Sequence, residues 1–185
     1  MGAFYLTLLA VLLSGLAARD QVTVAALTRA QGQRFGVLVV GLACAGVTSA
    51  VAAYVASRLL LTLPVPARPM LAAIVIGLAG VESLILAPRP SPREPTHSLG
   101  ALGIVLLAQQ VTDSARFTLF GLAIGMGAPL AAGLGGGLAG MLLIGAAWSF
   151  AGAYARARMR TVRRLVGGLL LAIGVAMFLA LRGIL

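Results

Sequence analysis

Six apolar runs follow one another along the chain, at about residues 3–28, 35–62, 69–87, 98–122, 127–151 and 163–182. An α-helix rises about 1.5 Å per residue and the hydrocarbon of a bilayer is about 30 Å thick, so roughly 20 apolar residues cross it. Each run is long enough. Membrane β-strands would alternate over about 10 residues, and nothing here alternates. The pattern predicts an all-α integral membrane protein of six transmembrane helices. The first, second and fourth runs exceed the length needed, which predicts tilting, kinking or projection beyond the bilayer.

Composition excludes the soluble alternative. Of the 185 residues, 61% are hydrophobic and 10% charged, against about 45–50% and about 25% in soluble domains. Cys44 is the single cysteine, so neither an internal disulfide nor a two-cysteine redox carrier can be built. No Ser/His/Asp or Cys/His set, zinc spacing or phosphate-cradling loop is visible, and enzyme chemistry has no residues to carry it. The N-terminal run ends in Leu16-Ala17-Ala18 like a signal peptide, but it lacks a basic leading segment and its helical pattern runs on. It reads as the first span.

All fourteen basic residues are arginines, against four acids, Asp20, Glu82, Glu94 and Asp113. Most of the arginines stand between apolar runs, which makes membrane anchoring a simpler cause than a nucleic-acid partner. The connections after runs one, three and five hold Arg29, Arg34, Arg89, Arg93, Arg156, Arg158, Arg160, Arg163 and Arg164, and the opposite side holds Arg58, Arg68 and Arg182. That bias predicts an inner (plasma) membrane protein with these connections in the cytoplasm and both termini outside. The stretch Arg156–Arg164 reads as an anchor on anionic lipid. Trp148, Phe150 and Tyr154 read as an interfacial aromatic belt.

A proline-rich segment at 88–98 divides the chain into repeats of three spans, 1–87 and 99–185. Within it His97 stands alone and reads as solvated. Weak self-similarity appears at an offset of about 92 to 94 residues: Gly41 with Gly133, Gly80 with Gly174, and Asp20 with Asp113. Three spans per half make the halves inverted, the architecture of many secondary transporters. Gly133, Gly136, Gly137 and Gly140 in run five, and Gly41, Ala45 and Ser49 in run two, form small-residue faces for close helix packing, within one chain or in a homodimer.

Runs one and four each carry charges at mid-run. Asp20 lies beside Arg19 and three residues before Thr23; Gln109, Gln110, Thr112, Asp113 and Arg116 cluster in run four. An ionisable group at mid-membrane costs at least about 2.5–3.5 kcal/mol on insertion scales and marks a pathway or a pair. Two readings stand. Cross-repeat bridges, Arg19 with Asp113 and Arg116 with Asp20, would be structural. Alternatively, Asp20 and Asp113 face one cavity where Gln110 and Thr112 add oxygens for a hard divalent cation, and protonation of the aspartates supplies proton coupling. Glu82, near the cytoplasmic end of run three, is expected to pair with Arg29, Arg34 or Arg89.

This arrangement resembles the six-span cation:proton exchangers of the calcium:cation antiporter-2 family, which includes the Golgi manganese exporters. Those proteins have two inverted three-span repeats, each with a Glu-x-Gly-Asp-(Lys/Arg)-(Ser/Thr) motif whose acids form the ion site. Here the motif aspartates match Asp20 and Asp113. The glutamate positions fall on Ala17 and Gln110, the glycine positions on Arg19 and Thr112, and the last two on Gln21-Val22 and Ser114-Ala115. The resemblance implies exchange of Mn2+ or Ca2+ for protons, with Asp20 and Asp113 as ligands. The departures leave open a changed, anionic or zwitterionic substrate held by Arg19 and Arg116, or a non-transporting membrane scaffold.

Overall fold

The computed structural model describes residues 1–86, 88, 98–156 and 158–184, and every regular element among them is helical. Residues 89–97 of the proline-rich segment, with Arg89, Arg93, Glu94 and His97, lie outside the described residues. Run one is two helices. The first, α1 (Gly2–Ser14), stops at Gly15; Ala17 then takes a left-handed φ of 58° and Ala18 an extended one before α2 (Arg19–Gln31) begins. The two are bent by 63°. A non-glycine residue at positive φ is uncommon, because its Cβ crowds the backbone, so this break is a specified feature. Gly32, at φ 81°, ends α2.

Run two is one continuous helix, α3 (Phe35–Leu59), and run three is α4 (Ala67–Ile85), entered through Pro64 and Pro66. Run four is again divided, into α5 (Leu99–Val111) and α6 (Ser114–Gly125). Here the cause is side-chain capping. Asp113 adopts extended backbone and its carboxylate accepts from the Ala115 N–H at 3.0 Å, satisfying one of the free donors of a new helix start. Pro129 opens α7 (Pro129–Ser149), where its missing N–H costs nothing. A short α8 (Ala151–Arg156) leads to α9 (Met159–Leu181).

Four helices, α3, α4, α7 and α9, are each long and apolar enough to cross a bilayer, and the bent α1–α2 pair makes a fifth. The overlong first and fourth runs are the ones that break; α3 stays whole. The outward faces carry rows of exposed Leu and Val, among them Leu9, Leu13, Val47, Val51, Leu134 and Leu169. Apolar surface of that extent fits a multi-pass membrane protein.

The small-residue faces bring helices of the chain close together. A Cβ at Gly133 would lie 2.6 Å from the Ala53 Cβ, and one at Gly137 would rest 3.5 Å from the Ser49 Cβ, so α3 and α7 meet along these positions. Gly135 sits against the backbone of Phe4 in α1. Gly80 and Gly174 let α4 and α9 touch backbone to backbone. The core between α2, α3, α5 and α7 is filled by Val24, Leu27, Val37, Leu102, Leu106 and Ile144.

Candidate functional site at two helix breaks

The breaks in runs one and four put the start of α2 and the start of α6 beside one cavity. Its volume is about 10 Å3, and Asp20, Gln21, Gln110, Asp113, Arg116 and Gly140 are among its walls. That is about the space of a single water or small ion. Asp20 accepts the Gln21 N–H at 2.8 Å through Oδ1 and the Gln110 amide at 2.9 Å through Oδ2. Gln110 Oε1 accepts in turn from the Thr48 hydroxyl at 3.2 Å.

Asp113 is held from the other side. Its Oδ1 accepts from Arg163 Nη2 at 2.5 Å, and the same nitrogen donates to Glu82 Oε2 at 2.6 Å. Arg163 is fully buried and also donates to the Ser14 carbonyl at 3.2 Å, at the broken end of α1. Glu82 Oε2 also accepts from the Ser114 N–H at 3.2 Å. Its Oε1 stands 3.4 Å from Arg19 Nη2, and that nitrogen donates to the Thr112 hydroxyl at 2.8 Å. One arginine thus joins α1, α4 and α6 to α9.

The paired residues are not those expected. Arg19 bridges Glu82 and not Asp113; Arg116 bridges neither aspartate. Among the described residues Glu82 pairs with Arg19 and Arg163, where Arg29 or Arg34 was expected; the third expected partner, Arg89, lies outside them. Arg163, assigned by its neighbours to a lipid anchor, is the most deeply buried cation in the molecule's described part, while Arg158, Arg160 and Arg164 are exposed. A signal for it existed. The buried positions of α9 are Arg163, Gly167, Leu170 and Gly174, one face at helical spacing, and Arg163 continues the glycine face that packs on α4.

Gln110 lies beside Asp20 but turns its NH2, not the expected oxygen, toward the carboxylate, and Thr112 is exposed and engaged by Arg19. Thr23 donates to Gln109 Oε1 at 3.2 Å, tying α2 to α5 beside the site. Tyr154 is turned inward, donating to Gln21 Oε1 at 3.2 Å. Arg116 donates to the Thr48 hydroxyl at 2.8 Å through Nε and to the Ala45 carbonyl at 3.4 Å through Nη2. Its Nη1 is buried with no partner among the described residues. Gly140 makes this seat possible, because a Cβ there would come 2.9 Å from Arg116 Nη2.

All three acids among the described residues belong to this cluster, and three arginines, Arg19, Arg116 and Arg163, balance them. Asp20 and Arg116 are the two members in no ion pair. No three His, Cys, Asp or Glu side chains converge on a metal position among the described residues. Chemically the arrangement offers one unpaired carboxylate, one free guanidinium edge and an amide between them, shut away from the surface. Comparison with protein-family models, curated proteins and solved structures finds no match.

Proposed function

We propose that the chain is a secondary membrane transporter of six spans, built as two inverted three-helix repeats, with its substrate site at the two helix breaks. The observation that carries this reading is that two discontinuous helices, distant in sequence, bring Asp20 and Asp113 to one small cavity with buried walls. Discontinuous helices at a repeat interface are a recurrent way to build ion sites in transporters. The repeat reading is supported by helices in matching places packing on each other, α3 on α7 and α4 on α9. With an even number of spans and the arginine bias, the odd-numbered connections face the cytoplasm of a plasma membrane and both termini lie outside.

The leading substrate reading is exchange of a divalent cation, Mn2+ or Ca2+, for protons. Asp20 is the exchanging group: it has no ion pair to break, and the Gln110 amide can turn its oxygen toward a cation. Asp113 supplies the second carboxylate while remaining tethered to Arg163. A second reading, an anionic substrate, is favoured by Arg116, whose Nη1 faces the site without a partner. A scaffold of purely structural ion pairs is the reading outside transport.

Proteoliposome flux separates these. With Mn2+ or Ca2+ gradients and a pH-sensitive dye inside, wild type is expected to move protons against metal, and Asp20→Asn to fold but lose that movement. Absence of metal-driven proton movement in folded wild type would defeat cation exchange. Proton movement driven by a chloride gradient would select the anionic reading, and no flux with either ion would select the scaffold.

A further inference from the structure

Beside the buried site lies a second cavity, a cleft of about 30 Å3 between α2 and α8. Its walls are small or aliphatic, with Val22, Ala25 and Ala26 facing Ala151 and Ala155, and exposed Arg29 stands on its rim. Tyr154 lines this cleft and Gln21 lines the inner cavity. The two side chains meet in the 3.2 Å hydrogen bond from the tyrosine hydroxyl to Gln21 Oε1. This contact therefore stands between a residue of each lining.

We infer that the α2–α8 cleft is the route by which protons and small ions reach the buried site from the arginine-rich face, with the Tyr154–Gln21 contact as its inner gate. This rests on the transport reading above. Gln21 is suited to the task because its other end is fixed: Nε2 donates to the Gly15 carbonyl at 2.5 Å, inside the break of run one. A change in the break angle therefore moves Gln21 against Tyr154. The other side is equally suited. α8 has only six residues, follows a turn at Phe150, and packs chiefly on α2. Swinging α8 from α2 would withdraw Tyr154 from Gln21 and open the cleft toward the inner cavity.

The gate can be tested without knowing the transported ion. In a Cys44→Ala background, Ala115→Cys places a thiol on the wall of the inner cavity. Its modification by an anionic methanethiosulfonate is timed in membrane vesicles of both orientations. Slow labelling is expected with Tyr154 in place, rising roughly three- to tenfold in Tyr154→Phe, the worth of one hydrogen bond, and at least as much in Tyr154→Ala. The gain is confined to the face carrying Arg29. Ala18→Cys, on the same cavity wall, repeats the measurement if Ala115→Cys does not fold. Equal rates with and without Tyr154, or a gain shared by both faces, would overturn the inference. Loss of ion flux in the proteoliposome assay defeats the transport reading and leaves these labelling rates unchanged, so the two failures are distinguishable.

Discussion

The amide of Gln110 donates to Asp20 at 2.9 Å across 90 residues of chain. The contact joins the end of α5 to the start of α2 and gives the one unpaired acid of the cluster a neutral partner. At rest the amide turns its NH2 to the carboxylate, with Gln110 Oε1 3.2 Å from the Thr48 hydroxyl. Asp20→Asn keeps a single acceptor oxygen, so either the Gln21 N–H or the Gln110 amide loses its partner. A loss of about 1–2 kcal/mol in stability is expected from the unmade bond. Asp20→Asn combined with Gln110→Glu restores a donor–acceptor pair and is expected to recover most of it. Thermal unfolding in detergent checks both variants.

Arg163 carries more weight. Arg163→Gln leaves Glu82 and Asp113 as buried carboxylates facing each other, a loss expected to cost about 3–5 kcal/mol. Its neighbour supplies the control: Arg164 is exposed, and Arg164→Gln is expected to change stability by less than about 0.5 kcal/mol. Comparable losses from the two would show that Arg163 is not the centre of the cluster.

Glycines on α4 separate by what stands opposite them. A Cβ at Gly80 would enter the backbone of α9 at Gly167 and Leu171, whereas one at Gly77 meets nothing within 4 Å. Gly80→Ala is expected to destabilise by about 1–3 kcal/mol through overpacking. Gly77→Ala should be neutral or stabilising by up to about 1 kcal/mol, the helix propensity gained. Melting temperatures of the two variants decide the matter.

Six spans require the broken α5–α6 pair to cross. In a Cys44→Ala background, cysteines at Gln33, Gly100 and Thr161, all exposed, are expected to label from one face of intact vesicles. Cysteines at Val65 and Met126 should label from the other. If Gly100 and Met126 label from the same face, run four is a re-entrant hairpin and the inverted-repeat proposal fails.

Much of the helical layout was legible because hydrophobic run length is a direct consequence of bilayer thickness. Pro129 at a helix start, the small faces of α3 and α7, and the excess length of runs one and four are all local properties of sequence. The position of the breaks was less visible. Asp113 as a cap can be read from its residue type, but the left-handed Ala17 has no signature, since alanine is an ordinary helix former. The ion pairs were illegible for a different reason. Arg163 sits in a run of arginines whose charge count conceals it, and only the phase of the glycine face on α9 distinguishes it from Arg164. Pairing is set by helix order in three dimensions, and Glu82, assigned to the membrane surface by its nearness to a run end, lies within reach of α9 because α4 and α9 touch backbone to backbone.

The burial of Arg163 on α9 carries a consequence for biogenesis. Glu82 and Asp113 emerge from the ribosome well before the arginine that neutralises both. Until α9 arrives, Asp113 has no ion-pair partner and Glu82 has only the longer contact to Arg19, a reason for their helices to stay near the insertion machinery. Release into lipid then waits on the ninth helix, and a chain stalled before it would carry an exposed acidic face for membrane quality-control proteases to recognise.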